Sequence, residues 1–332
     1  MVSAADFRPA WWARSGHVQS LLGSNRWRQL LGERRLLAVG AHSQEHLIDA
    51  GDGVRLLGVH SAVPGRASRG LALLLHGWEG SVDSSYMRLT AARLLEAGFE
   101  VFRLNFRDHG GTHHLNEGIF HSNRIDEVVR AAAEVARRFP ARPMVAAGYS
   151  LGGNFTLRLA LRAPAAGIPL QCVAVVCPVL DPARTMDVLE RGLPVYRWYF
   201  QRKWTESLAR KRALFPHLHD FDDRVLHMDM RELTRWLVLR QTDFGSLEHY
   251  FDGYCIAGDR LAGLQVPARI LMAADDPVIP VADFHRLQLP PSARLEISPW
   301  GGHCGFVEGG RLEGFAERWI SAQLADAGAA AG

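Results

Sequence analysis

The chain has 332 residues, 48% of them hydrophobic and 22% charged, with 38 basic against 35 acidic side chains and a net charge of +3. Those proportions exclude disorder, a coiled coil or a collagen rod as the main architecture, and the near balance of charge excludes nucleic acid as the main partner. At ~100–200 residues per domain the length allows one or two domains, with a core large enough to need no disulfide or metal staple.

Of the basic residues only Lys203 and Lys211 are lysines, and no function follows from that bias. Cys172, Cys177, Cys255 and Cys304 form no C-x-x-C pair, so zinc and dithiol chemistry have no pattern to stand on. No run reaches the ~18–20 apolar residues of a membrane helix. The opening residues place Asp6, Arg8 and Arg14 around Trp11 and Trp12, which is not a signal peptide, so a cytoplasmic location is expected.

Residues 1–45 are polar and irregular, with Phe7, Trp11, Trp12 and Trp27 expected exposed, and read as an arm or short helices packed on the body. From residue 54 a rhythm begins. Val54–Val63 reads as a strand, and the apolar run Gly70–Leu75 as a strand buried on both faces. Asp83 or Ser84 can cap a helix carrying Met87, Leu89, Leu94 and Leu95, which Gly98 stops. Glu100–Asn105 is a strand. Ile125, Val128, Val129, Ala132, Val135 and Ala136 recur at helical spacing up to Pro140. Pro143–Gly148 is a strand, Leu151–Arg162 a helix and Leu170–Cys177 a strand.

The rhythm breaks near Asp181 and resumes with Pro267–Ala273 (strand), Val281–Leu287 (helix), Arg294–Ile297 (strand) and Leu312–Ala325 (helix), before a tail, Ala327–Gly332, expected to fray. Alternating strands and helices predict an α/β fold with a mostly parallel sheet flanked by helices. The core is expected at 46–181 and 266–326, and a helical cap insertion at 182–265. That insertion holds twelve of the 30 aromatic residues. It should lie at the carboxyl edge of the sheet, where open α/β folds bind ligands.

Gly148-Tyr149-Ser150-Leu151-Gly152 is a G-x-S-x-G between an apolar strand and a helix, the setting of a nucleophile elbow. Serine needs a base. His303, in the glycine-rich loop Pro299–Gly305 after the last strand, is the candidate. The histidine needs an acid to fix its tautomer. Asp276 is preferred, because Pro277 and Pro280 pin its turn; Asp275 is the first rival and Asp181 the second. The order serine, acid, histidine is that of α/β hydrolases. Two amides should form an oxyanion hole, that of Leu151 at the elbow and that of Trp78 in the loop His76–Gly80. His76 is expected to hold that loop in place.

Arg107-Asp108-His109-Gly110-Gly111 is expected to be a loop braced by an arginine–aspartate pair. His113, His114 and His121 lack a carboxylate at ligand spacing. His217, His219, Asp220, Asp222, Asp223 and His227 resemble a metal cluster more closely, but a solvated face is the expected reading. No metal or cofactor is expected, and no nucleotide motif is present.

Four segments together resemble the α/β-hydrolase superfamily, in the branch of YheT-type and ABHD-type hydrolases known as AB hydrolase family 4. They are Phe7–Pro9 through His17–Leu22, Leu74–Ser81, Asn105–Gly110 and Gly148–Asn154. Phe221-Asp222-Asp223 and Phe244-Gly245-Ser246 with Tyr250 are similar to that branch's cap. The resemblance implies Ser150, Asp276 and His303 as a triad and carboxylic-ester hydrolysis on short, medium or glycerolipid acyl groups. The stretch Leu226–Gln241 departs from the pattern and bears on substrate preference. The expected partner is a small acyl ester, with transient contact to a lipid surface through the aromatic cap. Acyl transfer to an alcohol or thiol with the same triad, and ligand binding without turnover, are the alternative functions.

Overall fold

In the computed structural model, which describes residues 2–309 and 312–329, eight strands form one sheet. They are β1 (His42–Asp49), β2 (Arg55–Ala62), β3 (Leu71–Leu75), β4 (Glu100–Leu104), β5 (Met144–Tyr149), β6 (Leu170–Val176), β7 (Ala268–Ala273) and β8 (Arg294–Ser298). Their spatial order is β1-β2-β4-β3-β5-β6-β7-β8, with β2 antiparallel to both neighbours and the run from β4 to β8 parallel. The apolar runs have their cause here: every residue of β3 and β5 is buried, as parallel strands covered on both faces must be.

The helices are α1 (Gly16–Gly23), α2 (Arg26–Ala38), α3 (Ser85–Glu96), α4 (Ile125–Arg138), α5 (Leu151–Arg162), α6 (Pro182–Arg191), α7 (Pro194–Leu214), α8 (Asp223–Leu226), α9 (Met230–Gln241), α10 (Leu247–Asp252) and α11 (Phe315–Ala329). Ten consecutive residues of α5, Leu151–Ala160, are buried, because this helix lies against β3, β5 and β6. By contrast α4 buries only a stripe, Ile125, Val128, Ala131, Ala132, Val135 and Ala136. Around the sheet α3 packs with α11 and α4 with α5, while α6–α10 fall between β6 and β7. Strand order reverses between β3 and β5, whose ends align at Leu75 and Gly148, so the chain opens a crevice there.

The structure departs from the sequence reading in several places. Strand β1 begins at His42, inside the stretch read as an arm. It is an edge strand with mostly exposed side chains, so its sequence shows no apolar alternation. Phe7 is buried at 1% exposure against Phe306 and Phe315, whereas Trp11, Trp12 and Trp27 are exposed. The Ser84 hydroxyl accepts from the Ser81 amide instead of capping α3. Val281–Arg286 is a 3-10 turn. The last helix starts at Phe315, after a short antiparallel pair, Val307–Glu308 with Glu313–Gly314. Of the tail expected to fray, Ala330–Gly332 lie outside the described residues.

Candidate active site

The elbow after β5 is fixed by backbone contact. Ser150 sits at φ +53°, ψ −120°, a strained conformation for a residue with a side chain. A Cβ on Gly148 would lie 2.3 Å from the Gly152 carbonyl oxygen, and one on Gly152 would lie 2.3 Å from that of His76. Both glycines of the motif are therefore forced by the close approach of α5 to the ends of β5 and β3. The turn lifts the Ser150 hydroxyl to the start of α5.

There it meets His303. The imidazole Nε2 lies 2.9 Å from Ser150 Oγ, and Nδ1 lies 2.9 Å from Asp276 Oδ2. The Asp276 side chain is fully buried, and its other oxygen accepts the amides of Val278 (2.8 Å) and Ile279 (3.0 Å). Burial depresses the His303 pKa, but the Asp276 carboxylate and Cys304 outweigh it and raise it to about 9. The two rival acids have other tasks. Asp275 accepts the amide of Gly302 (2.9 Å) and so braces the histidine loop, while Asp181 caps α6 through Arg184 N.

Sequence reasoning did not assign the arm a part in this loop. The His303 amide donates to Ser20 Oγ (2.8 Å), and Gln19 exchanges hydrogen bonds with the Val307 backbone. A Cβ on Gly302 would stand 2.1 Å from the Gly16 carbonyl oxygen, and one on Gly305 would stand 2.3 Å from that of Gln19. Gly302 and Gly305 are thus the mark of α1 packed against the histidine loop. No local sequence signal joins the two segments, which lie at opposite ends of the chain.

The amides of Trp78 and Leu151 donate to no protein acceptor among the described residues, and both residues line the cavity that reaches Ser150. His76 holds the loop that carries Trp78. The Phe106 amide donates to its Nε2 (3.2 Å), so Nδ1–H donates to the Gly77 carbonyl (2.7 Å). Burial pushes its pKa well down, leaving a neutral linker.

Ser150 stands between two cavities. One, of about 790 Å³ counting its mouth, is walled by apolar groups from the core and cap, Phe120, Met186, Trp204, Met230, Leu237 and Phe251 among them. The other, of about 1190 Å³ counting its mouth, is polar and is reached by Ser81, Ser84, Tyr86, Lys203, Glu79 and His303. The divergent stretch 226–241 becomes α9, capped by Asp229 and Glu232, and its Met230, Thr234 and Leu237 wall the apolar cavity.

Both lysines lie on α7 and tie the cap to core loops. Lys203 Nζ donates to the Glu79 carbonyl (3.1 Å). Lys211, 1% exposed, pairs with Asp108 (2.7 Å) and donates to the carbonyls of His113 and Asn116. Asn154 adds bonds to the carbonyls of Val179 and Tyr254. Burial pushes the Glu79 carboxyl up to about 7, against the pull of Lys203. The expected arginine–aspartate brace takes another form: Arg107 pairs with Glu127 (2.6 Å), while Asp108 takes Lys211. Among the described residues no group of three or more His, Cys, Asp or Glu side chains is arranged to hold a metal. His219 bonds the Glu117 carbonyl, Asp222 caps α8, and Asp223 pairs with Arg212. No helix of the described residues is long and apolar enough to cross a membrane.

A parallel sheet with a strained serine between β5 and α5, and a histidine loop after β8, defines an α/β hydrolase. Residues 66–304 match the family model described as serine aminopeptidase, S33 (Hydrolase_4), and the chain belongs to that family, in its YheT/ABHD type. It is 26% identical to the Escherichia coli (strain K12) protein "Putative esterase YheT", over 98% of this chain and 93% of that one. Phospholipase ABHD3 of Mus musculus is 24% identical over 73% of this chain and 60% of its own length. The Pyrococcus furiosus esterase Pf2001 superposes with a TM-score of 0.55 at 15% identity, covering 88% of this chain and 91% of that one, a likeness of fold.

Proposed function

We propose that this protein is a serine esterase that cleaves carboxylic esters with an apolar acyl group and a polar alcohol. The observation that carries the reading is the pair of 2.9 Å hydrogen bonds linking Ser150, His303 and Asp276 at the junction of the two cavities. The esterase and phospholipase names of the relatives support the same class.

The acyl group lies in the apolar cavity. Ser150 Oγ attacks the carbonyl carbon as neutral His303 takes its proton at Nε2, and Asp276 holds the imidazolium through Nδ1–H. The carbonyl oxygen becomes an oxyanion that the amides of Trp78 and Leu151 receive at the positive end of α5. His303 then protonates the departing alkoxide, which leaves through the polar cavity. Water attacks the acyl-serine with His303 again as base, releasing the acid and restoring the hydroxyl. The sequence needs no metal or cofactor.

The test pairs a fluorophosphonate probe with a p-nitrophenyl ester series, on the wild type and Ser150→Ala. Labelling and turnover that depend on Ser150, with preference for acyl chains that fill the apolar cavity, are expected. Their absence removes the reading. Product analysis with competing alcohols and thiols measures how much acyl group goes to an acceptor other than water.

A further inference from the structure

Two segments of the surface contain no acidic residue at all: 7–32 in the arm and 191–205 at the start of α7. They are far apart in sequence and meet in space. His17 Nδ1 lies 3.0 Å from Tyr196 OH with the two rings stacked, and Ser24 and Gln29 line the polar cavity together with Tyr199, Phe200 and Lys203. Together they form a rim at the mouth of the site.

This rim exposes large apolar side chains. Trp198 is 59% exposed and Leu21 58%, with Trp12, Leu193 and Val195 exposed as well. Leu21 stands one turn beyond His17 on α1, and Val195, Trp198 and Arg202 stand one turn apart on α7, so each set shares a helix face. Arginines are interspersed. Arg26, Arg191 and Arg197 are exposed, and none of them makes an ion pair among the described residues. Soluble surfaces scatter exposed apolar residues and balance their charges. Arg202 pairs with Glu206 just beyond the acid-free stretch (2.8 Å), and the remaining mixture of tryptophan, leucine and unpaired arginine is the composition of a segment that lies in a lipid headgroup layer.

We infer that the start of α7 and the arm facing it form a docking surface for an anionic lipid bilayer. The sign of the charge selects the lipid, because arginines near an anionic surface gain attraction that a neutral one does not give. A second copy of the chain fits less well, since a two-fold interface on this face would set Arg191 and Arg197 near their own copies. Docked this way, the mouth of the site opens onto the membrane, and an amphiphilic ester reaches Ser150 without crossing water. The inference does not depend on the chemistry assigned to Ser150.

The experiment is co-sedimentation of the full chain with vesicles of phosphatidylglycerol and phosphatidylcholine, beside vesicles of phosphatidylcholine alone. Wild type and Ser150→Ala are expected to sediment alike with the anionic vesicles only, with a blue shift of tryptophan emission, and to be released by salt. Arg197→Glu and Trp198→Ala are each expected to weaken binding by about tenfold. Both should hydrolyse a soluble short-chain ester at the wild-type rate, which shows that they are folded. Wild type that stays in the supernatant, equal binding to both vesicle types, or undiminished binding by both variants would overturn the inference. So would a dimer that either variant converts to a monomer, which would assign the surface to self-association.

Discussion

The rim of the sheet and the cap above it hold their residues by different means. At the rim, backbone meets backbone: Gly148, Gly152, Gly302 and Gly305 exist because a Cβ at any of them would collide with a carbonyl oxygen. In the cap, position depends on scattered polar ties, those of Lys203, Lys211, Asn154 and His219 among them, and on the volumes of apolar side chains. A collision tolerates no substitution, whereas a volume can be traded. The positions of Ser150 and His303 are therefore rigidly specified and the apolar cavity is open to change.

The comparison can be broken at its strong end first. Ser150→Ala is expected to lower kcat by about 10⁴–10⁶-fold with the thermal transition unchanged. Asp276→Asn should cost about 10⁴-fold by leaving the imidazole in the wrong tautomer. Asp275→Asn, whose side chain accepts the Gly302 amide and makes no bond to His303, should cost about tenfold or less. A larger loss from Asp275→Asn than from Asp276→Asn would reverse the assignment of the acid. At the tie between core and cap, Lys211→Met strands the buried Asp108 carboxylate, and urea denaturation should show a loss of about 3–5 kcal/mol. Within the cap, Leu237→Trp fills the apolar cavity. It should reduce kcat/KM for long acyl esters by roughly 10–100-fold while sparing acetyl esters, and a uniform loss would show that the acyl group lies elsewhere.

The smallest effect sharpens the rim itself. A base must be neutral to accept a proton, and His303 is held protonated up to about 9. The profile of kcat/KM should therefore climb through the neutral range and level off on the alkaline side. Cys304 contributes to the upward shift, so Cys304→Ala should move the rising limb toward lower pH. An unmoved limb would leave Asp276 as the main support of the imidazolium.

The parallel core was legible because strands buried on both faces must be continuously apolar, and α5 could be bounded at Leu151 and Arg162 from the elbow and the following Pro164. The elbow was legible for the same reason, since its glycines answer a local steric demand. The edge strand β1 was not, because an exposed strand leaves no pattern in side-chain polarity. Neither was the support that Ser20 and Gln19 give the histidine loop, which joins residues at opposite ends of the chain. Asp108 and Lys211 could not be paired from sequence, because Arg107 stood next to the aspartate and offered a nearer partner than the one folding selects.

That meeting of chain ends sets an order of assembly. The histidine loop rests on α1, and Gln19 closes on Val307, while α11 follows immediately after. During synthesis the first helix must therefore wait for almost the whole polypeptide to emerge before it can meet the histidine loop. A chain released before residue 307 lacks the partner on which Gln19 closes, so the brace on the histidine loop is among the last parts of the molecule that can form.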